Sequence, residues 1–168
     1  QLICNAFLDP EDEAIHTEYG FLVFPQSIRI AGGTPVLAKD KNFTASLENI
    51  QEKITKKTKI IFLANPNNPT GTMVSEEEIR SFFKDIRSDI LVVLDSAYAE
   101  YVDNKDYTDG SKFVEEFDNI IMLRTFSKLH ALASLRLGWA YCPIKVANIL
   151  KSIRPAFSVN ALASFAGI

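Results

Sequence analysis

Short apolar runs alternate with amphipathic segments along this chain, and the alternation predicts strands separated by helices. The runs at residues 60–63 and 90–94 are continuously apolar, which is typical of strands covered on both faces of a sheet. Six runs are predicted as strands: 14–17, 35–38, 59–64, 90–95, 120–124 and 137–142. The pattern therefore predicts the α/β fold class, with a mostly parallel sheet flanked by helices.

The clearest helix is predicted over residues 75–87. Ser75 and Glu78 form an S-x-x-E capping box at its start. One apolar stripe follows, made of Ile79, Phe82, Phe83 and Ile86. Two more helices are predicted around residues 47–54 and 144–153. Residues 103–110 are polar and turn-rich, which predicts a surface loop.

Composition and charge narrow the class of protein. The 168 residues suffice for one domain with a hydrophobic core, and a 47% hydrophobic content is typical of soluble globular proteins. The net charge of −3 is too small to indicate binding to nucleic acid or to an anionic membrane. Cys4 and Cys142 have neither metal-ligand spacing nor the pattern of a disulfide framework. We therefore predict no metal site and a reducing compartment, the cytoplasm.

Both ends of the chain have the pattern of helix interiors. The chain opens on Gln1 and the run 2–8, with no initiator methionine and no capping residue. It ends in the helix-like run 161–168. We therefore expect residues 1–168 to be part of one domain of a longer protein.

Three polar segments follow predicted strands, at the sheet edge where α/β proteins bind their ligands. The first is Asn65-Pro-Asn-Asn-Pro-Thr-Gly-Thr72, whose prolines, asparagines and glycine predict a rigid, irregular turn. Taken alone, this segment could be a tight connection from strand to helix. Its length and its position at a strand end favour a functional turn.

The second segment is Asp95-Ser-Ala-Tyr98, directly after a buried strand. An acid in such a place loses its water unless a positive group meets it. That group could be an arginine or a helix end of this protein. It could instead be a cationic atom of a ligand.

The third segment is Arg124-Thr-Phe-Ser-Lys128, which continues through apolar residues to Arg136. A lysine among apolar residues can lose its proton and attack an aldehyde, although a solvated lysine is the simpler interpretation. Arg136 lies eight residues further on, just over two turns away if this stretch is helical. His130 could shuttle protons, but packing beside the site explains it more simply.

Together and in this order, the three segments resemble those of fold-type I aminotransferases that depend on pyridoxal 5'-phosphate (PLP). The histidinol-phosphate aminotransferase branch is the most similar. The resemblance runs from Asp9-Pro-Glu-Asp-Glu13 through Ala31-Gly-Gly-Thr-Pro-Val36 to Arg136-Leu-Gly138. It implies that residues 1–168 are part of the PLP-binding large domain. The N-terminal arm and the C-terminal small domain would then lie outside this chain.

The resemblance implies roles for residues around the cofactor ring. Lys128 matches the lysine that forms a Schiff base with PLP and later carries the substrate proton. Asp95 matches the acid that pairs with the pyridine nitrogen, so that the ring can accept electrons. Asn68 and Tyr98 match the residues that hydrogen-bond the phenolic oxygen of the ring. Tyr19 matches the aromatic residue that stacks on the ring, with a core aromatic beside Phe21 and Phe24 as the weaker alternative.

The resemblance also implies how the cofactor phosphate is held. Thr125, Ser127 and Arg136 match its ligands, two hydroxyl donors and one guanidinium. Two residues depart from the family pattern: Ser96 replaces a glutamate, and Ser134 replaces a glycine. The family's glycine-serine phosphate loop would precede Gln1, and the arginine for the substrate carboxylate would follow the last residue.

The function implied is transamination between an amino acid or a phosphorylated amine and 2-oxoglutarate, with histidinol phosphate as the leading donor. A homodimer is implied for the full-length protein. The chain alone would then bind PLP weakly and turn over poorly, because half of the substrate pocket is absent. Three alternatives remain open: a PLP-dependent decarboxylase of the phosphothreonine type, a non-catalytic aminotransferase-like ligand sensor, and an α/β domain with coincidental motifs.

Overall fold

The computed structural model describes residues 1–167, which contain one six-stranded sheet in the order β2-β1-β3-β4-β5-β6. The first five strands are parallel and β6 runs antiparallel to β5. The strands are β1 (Glu13–Thr17), β2 (Thr34–Ala38), β3 (Thr58–Ala64), β4 (Leu91–Asp95), β5 (Ile120–Thr125) and β6 (Gly138–Tyr141). The predicted α/β fold is confirmed, and each strand begins and ends within one residue of its predicted bounds.

Helices connect most of the strands. They are α1 (Leu2–Phe7), α2 (Val23–Ile30), α3 (Leu47–Glu52), α4 (Glu76–Asp85), α5 (Ser111–Glu116), α6 (Ile144–Ile153) and α7 (Ala161–Ala166). Two short 3-10 helices cover Ala99–Tyr101 and Ala133–Leu135. Each helix within residues 1–167 is too short or too polar to cross a bilayer.

The predicted start of α4 is confirmed. The Ser75 hydroxyl accepts a hydrogen bond from the Glu78 backbone N–H, and the Glu78 carboxylate accepts one from the Ser75 backbone N–H. These two bonds satisfy backbone donors that the first turn of a helix leaves free. The apolar stripe of α4 then packs on the sheet through Ile79, Phe82 and Phe83, which are buried.

Helices cover both faces of the sheet, so its central strands are buried on both sides. Side chains of β3 alternate between the faces: Ile61 and Leu63 join the cluster under α3, α4 and α5, while Ile60 and Phe62 join the cluster under α1, α2 and α6. This two-sided burial explains why the central runs in the sequence are continuously apolar.

The edge strand β6 and the last two helices are much less buried. All four residues of β6 are exposed. Several large apolar side chains nearby are exposed as well: Ile144, Ile149, Ile153, Phe157, Leu162 and Phe165. The strongly buried core therefore lies between β1 and β5, and it includes β3, β4 and β5, whose ends carry the three polar segments.

The capping box of α4 gives a direct test of this local structure. We expect Ser75→Ala to lower the free energy of unfolding by about 1 kcal/mol, because it removes the hydroxyl that caps the first turn. Urea denaturation followed by circular dichroism measures the change. Ser81→Ala, at an exposed position within the same helix, is the matched control and should leave stability unchanged or slightly raised. Equal effects of the two substitutions would contradict the capping assignment.

Candidate active site

The three polar segments meet at the carboxyl edge of the sheet. In the register of the sheet, Asp95 at the end of β4 lies between Ala64 of β3 and Leu123 of β5. One cleft at this edge is lined by Phe21, Ala64, Pro66, Asn68, Asp95, Ala97, Tyr98 and Lys128. Four of the residues singled out in the sequence, Asn68, Asp95, Tyr98 and Lys128, therefore share a single cleft.

Asp95 has a carboxylate with few partners. Its Oδ1 accepts a hydrogen bond of 3.1 Å from the Ala97 backbone N–H. Burial raises the pKa of this carboxyl, while the Ala97 bond and the charge of Lys128 pull the pKa down. Within residues 1–167, no basic side chain lies within 4.0 Å of the carboxylate. A cationic ligand atom would thus relieve a desolvated charge.

Lys128 lies three residues beyond the end of β5 and is partly buried. Its Nζ is 4.7 Å from the centroid of the Tyr98 ring, in cation–π contact. The contact places the amine over the ring of Tyr98, which lies three residues after Asp95. The acid and the amine therefore reach the same cleft from neighbouring strands.

The segment carrying Asn68 is closed by its own hydrogen bonds. The Asn65 side chain pairs with the Val74 backbone, donating to its carbonyl at 3.0 Å and accepting from its N–H at 2.8 Å. Within the turn, the Asn67 N–H donates to the Thr72 carbonyl and the Gly71 N–H donates to the Asn67 carbonyl. The turn therefore presents Asn68 from a backbone with little freedom.

The predicted phosphate ligands Thr125, Ser127 and Arg136 do not line this cleft, and Arg136 lines a separate one with residues of α1 and α6. Thr125 Oγ1 accepts a bond of 3.1 Å from the Ser127 N–H. Arg136 is exposed, has a left-handed backbone with φ of 55°, and donates to the Ala133 carbonyl. The stretch between Lys128 and Arg136 is not a continuous helix, so the two-turn spacing considered for it is wrong. Arg136 reaches this edge because β6 turns back along β5, pairing Gly138 with Thr125.

Tyr19 also lies outside the cleft, and Phe21 lines it instead. The Tyr19 ring packs on Phe43 at 5.3 Å between centroids. Its backbone N–H donates to Asp40 and its carbonyl accepts from the Asn67 side chain. His130 is exposed and packs against Phe126 at 5.2 Å, in line with a packing role.

Three apolar lining residues were not singled out in the sequence: Phe21, Ala64 and Ala97. Ala97 could have been predicted as a lining residue, because it lies between Asp95 and Tyr98 in sequence and its small side chain leaves space beside both. Ala64 ends a strand that precedes a polar segment. Phe21 had no local signal, because its segment gives no pattern that separates it from Tyr19. Within residues 1–167, no group of three or more His, Cys, Asp or Glu side chains could hold a metal ion.

The sequence model of the family described as aminotransferase class I and II matches residues 1–167. The chain belongs to this family. Among curated relatives, the histidinol-phosphate aminotransferases of Paramagnetospirillum magneticum and Pelagibacter ubique are each 45% identical to it, over 99% and 100% of this chain. These matches cover 46% and 47% of the two relatives, so the chain spans about half of their length.

Solved structures agree with this assignment. Histidinol-phosphate aminotransferase from Sinorhizobium meliloti, solved in complex with PLP, superimposes with a TM-score of 0.91 at 25% identity, covering 98% of this chain and 45% of that one. A protein from Erwinia carotovora, described as a putative histidinol-phosphate aminotransferase, gives a TM-score of 0.89 at 26% identity, covering 99% and 50%. The resemblance read from the three segments is therefore confirmed at the level of the family, and the interpretation as coincidental motifs is wrong.

The raised pKa of Asp95 leads to a prediction about stability. A carboxyl whose pKa is raised by folding destabilises the folded state as pH rises from the ordinary carboxyl range to the raised value. We expect Asp95→Asn to raise the free energy of unfolding of the ligand-free protein at pH 7 by about 1 kcal/mol. The gain should disappear below the ordinary carboxyl range, where aspartate is protonated in both states. Urea denaturation across the pH range measures it.

Asp118→Asn is the matched control, because Asp118 is exposed and lies at the far end of β5. Its effect should stay within about 0.5 kcal/mol at each pH. A loss of stability in Asp95→Asn at pH 7 would show that the Asp95 carboxylate is well compensated without a ligand.

Proposed function

We propose that this chain forms part of the large domain of a PLP-dependent transaminase. The reaction would transfer an amino group from an amino acid or a phosphorylated amine to 2-oxoglutarate, with histidinol phosphate as the leading donor. The observation that carries the proposal is the cleft that Asp95 and Lys128 share, which Asn68 and Tyr98 also line. The curated relatives support the choice of donor, since they are histidinol-phosphate aminotransferases at 45% identity.

The lining of the cleft fits the chemical groups of PLP. The Asp95 carboxylate, which lacks a cationic partner within ion-pair distance among residues 1–167, matches a protonated ring nitrogen. The Asn68 amide and the Tyr98 hydroxyl are hydrogen-bond donors suited to the ring oxygen. Phe21, Ala64 and Ala97 offer apolar walls for a flat ring.

Asp95, Lys128 and Tyr98 would then have distinct roles. When bound, PLP supplies an electron sink for the bond that breaks at the substrate α-carbon. Asp95 would keep the ring nitrogen protonated, because the buried carboxylate gains an ion pair by doing so. Lys128 would hold the cofactor covalently and then carry the proton of the α-carbon at Nζ. Tyr98 would keep this amine close through the contact seen at 4.7 Å.

The remaining roles rest on the family resemblance. We propose Thr125, Ser127 and Arg136 as phosphate ligands and Tyr19 as the residue that stacks on the ring. The left-handed backbone of Arg136 supports its role, because such strained positions are concentrated at functional sites. A homodimer in the cytoplasm is proposed for the full-length protein.

The role of Lys128 has a spectroscopic test in the full-length protein. We expect Lys128→Ala to abolish the absorption band of lysine-bound PLP, because no other amine reaches the cleft from the lining residues. Borohydride reduction followed by peptide mass analysis should label Lys128 in the wild type only. Lys128→Arg is the matched control that keeps the positive charge and should lose the band equally. A band or a label that survives in Lys128→Ala would place the nucleophile elsewhere.

The reaction itself is tested by its products. With histidinol phosphate and 2-oxoglutarate, we expect the full-length protein to form glutamate at a rate in the range of ordinary enzymes, with kcat about 1–1000 per second. The 168-residue chain alone should be far slower. Histidinol phosphate has no carboxyl group, so the decarboxylase alternative needs an amino acid such as phosphothreonine as substrate. Release of carbon dioxide from that amino acid without glutamate formation would identify a decarboxylase. Cofactor binding without either product from any amino donor would favour a ligand sensor.

A further inference from the structure

The segment 103–110, called the bracing loop below, contacts all three polar segments of the site. Within it, Tyr107 is partly buried and both Thr108 and Gly110 are buried, so the prediction of a simple surface loop is incomplete. Its first four residues, 103–106, are exposed, and Tyr107 and Asp109 bond to residues at or next to the ends of β3, β4 and β5. The loop therefore bonds to residues that lie close in sequence to the lining of the cleft.

The first contact reaches the segment that carries Asn68. The Tyr107 hydroxyl donates a hydrogen bond of 3.0 Å to the Asn65 backbone carbonyl. Burial raises the pKa of this hydroxyl, so it stays neutral and remains a donor over the whole ordinary pH range. The bond fixes the first residue of the turn, three positions before Asn68.

The second contact reaches the residue next to Asp95. The Ser96 hydroxyl donates to the Asp109 backbone carbonyl at 2.8 Å. Ser96 is one of the two positions at which this chain departs from the family pattern described above, and its side chain is buried. The serine that replaces the family's glutamate is thus hydrogen-bonded to the bracing loop.

The third contact reaches the segment that carries Lys128. Arg124 Nη1 donates to Asp109 Oδ2 at 2.9 Å, and Arg124 Nη2 donates to Glu100 Oε1 at 2.6 Å. Burial alone would raise the pKa of the Glu100 carboxyl, but the Arg124 guanidinium leaves it below its usual value. Arg124 therefore links the bracing loop and the chain just after Tyr98 to the strand that ends before Lys128.

The bracing loop is itself held firmly. Its Asp106 carbonyl accepts a bond of 2.7 Å from the Glu76 N–H at the start of α4. Gly110 has φ of +89°, and a Cβ there would lie 2.2 Å from Leu94 Cδ2. The loop is therefore anchored to α4 and to β4, and it can hold the residues that it contacts in fixed positions.

We propose that the bracing loop, through Asp109 and Tyr107, is a positioning element that sets the placement of Asn68, Asp95 and Lys128 around the cofactor. The inference rests on the proposed function, because it assigns the loop to the same site. Asp109 and Tyr107 touch none of the reacting groups. They act through Arg124, Ser96 and Asn65, each of which lies within four residues of a residue lining the cleft.

The test compares Asp109→Asn with Asp106→Asn in the full-length protein. Asp106 is an exposed aspartate of the same loop whose contacts involve only its backbone. Three quantities are measured: the PLP dissociation constant by absorbance titration, the pH midpoint of the lysine-bound PLP band, and urea stability. We expect Asp109→Asn to weaken PLP binding about tenfold, by analogy with residues that orient metal ligands, and to shift the pH midpoint by about 0.5 pH unit.

Conservative variants separate positioning from general stability. Asp109→Glu keeps the charge toward Arg124 and should restore most of the PLP affinity and the wild-type pH midpoint. Tyr107→Phe removes one hydroxyl and should weaken PLP binding severalfold while the protein stays folded, so it decides the matter if Asp109→Asn does not fold. Affinity and midpoint equal to those of Asp106→Asn in both Asp109→Asn and Tyr107→Phe would overturn the inference.

The outcome is distinguishable from a failure of the proposed function. If the wild type does not form the lysine-bound band, or if Lys128→Ala retains it, the proposed function itself is wrong. If the wild type forms the band and Lys128→Ala loses it, the proposed role of Lys128 is supported. Unchanged binding in Asp109→Asn and Tyr107→Phe then refutes the bracing loop alone.

Discussion

Backbone hydrogen bonds that continue past the strands hold the whole site together. The Asn65 N–H donates to the Asp95 carbonyl at 3.0 Å, and the Ser96 N–H donates to the Leu123 carbonyl at 3.0 Å. The parallel ladder of β3, β4 and β5 thus extends into the first residues of two functional segments. Because parallel strands end at one edge, residues far apart in sequence converge there without any direct bond between their side chains.

The sequence predicted the sheet well because its signals are local. A continuously apolar run of four or five residues permits few interpretations, and both central strands matched. The capping box at Ser75 likewise needs only residues that are three positions apart. The cleft residues Asn68, Asp95, Tyr98 and Lys128 were predictable for a related reason. Each lies at a strand end or within four residues after one, and the carboxyl ends of parallel strands lie at one edge of the sheet.

The features that were missed depend on distant contacts. The bonds of the bracing loop join residues 13, 15 and 42 positions apart, and no local pattern encodes such pairs. The stretch before Arg136 was considered as a helix from its apolar residues, yet Phe126 N–H bonds to the Leu137 carbonyl and folds it back on itself. Phe21 reaches the cleft because α2 begins close to the sheet edge, which composition does not reveal.

The anchoring of the bracing loop also has an evolutionary consequence. Surface loops usually accept insertions and deletions, because their backbone carries few contacts that depend on length. Here four fixed points, at Asp106, Tyr107, Asp109 and Gly110, follow one another within five residues. A single added residue between them would shift every later contact out of register. Length variation in this part of the protein should therefore be confined to the stretch before Asp106, where the side chains stand in solvent.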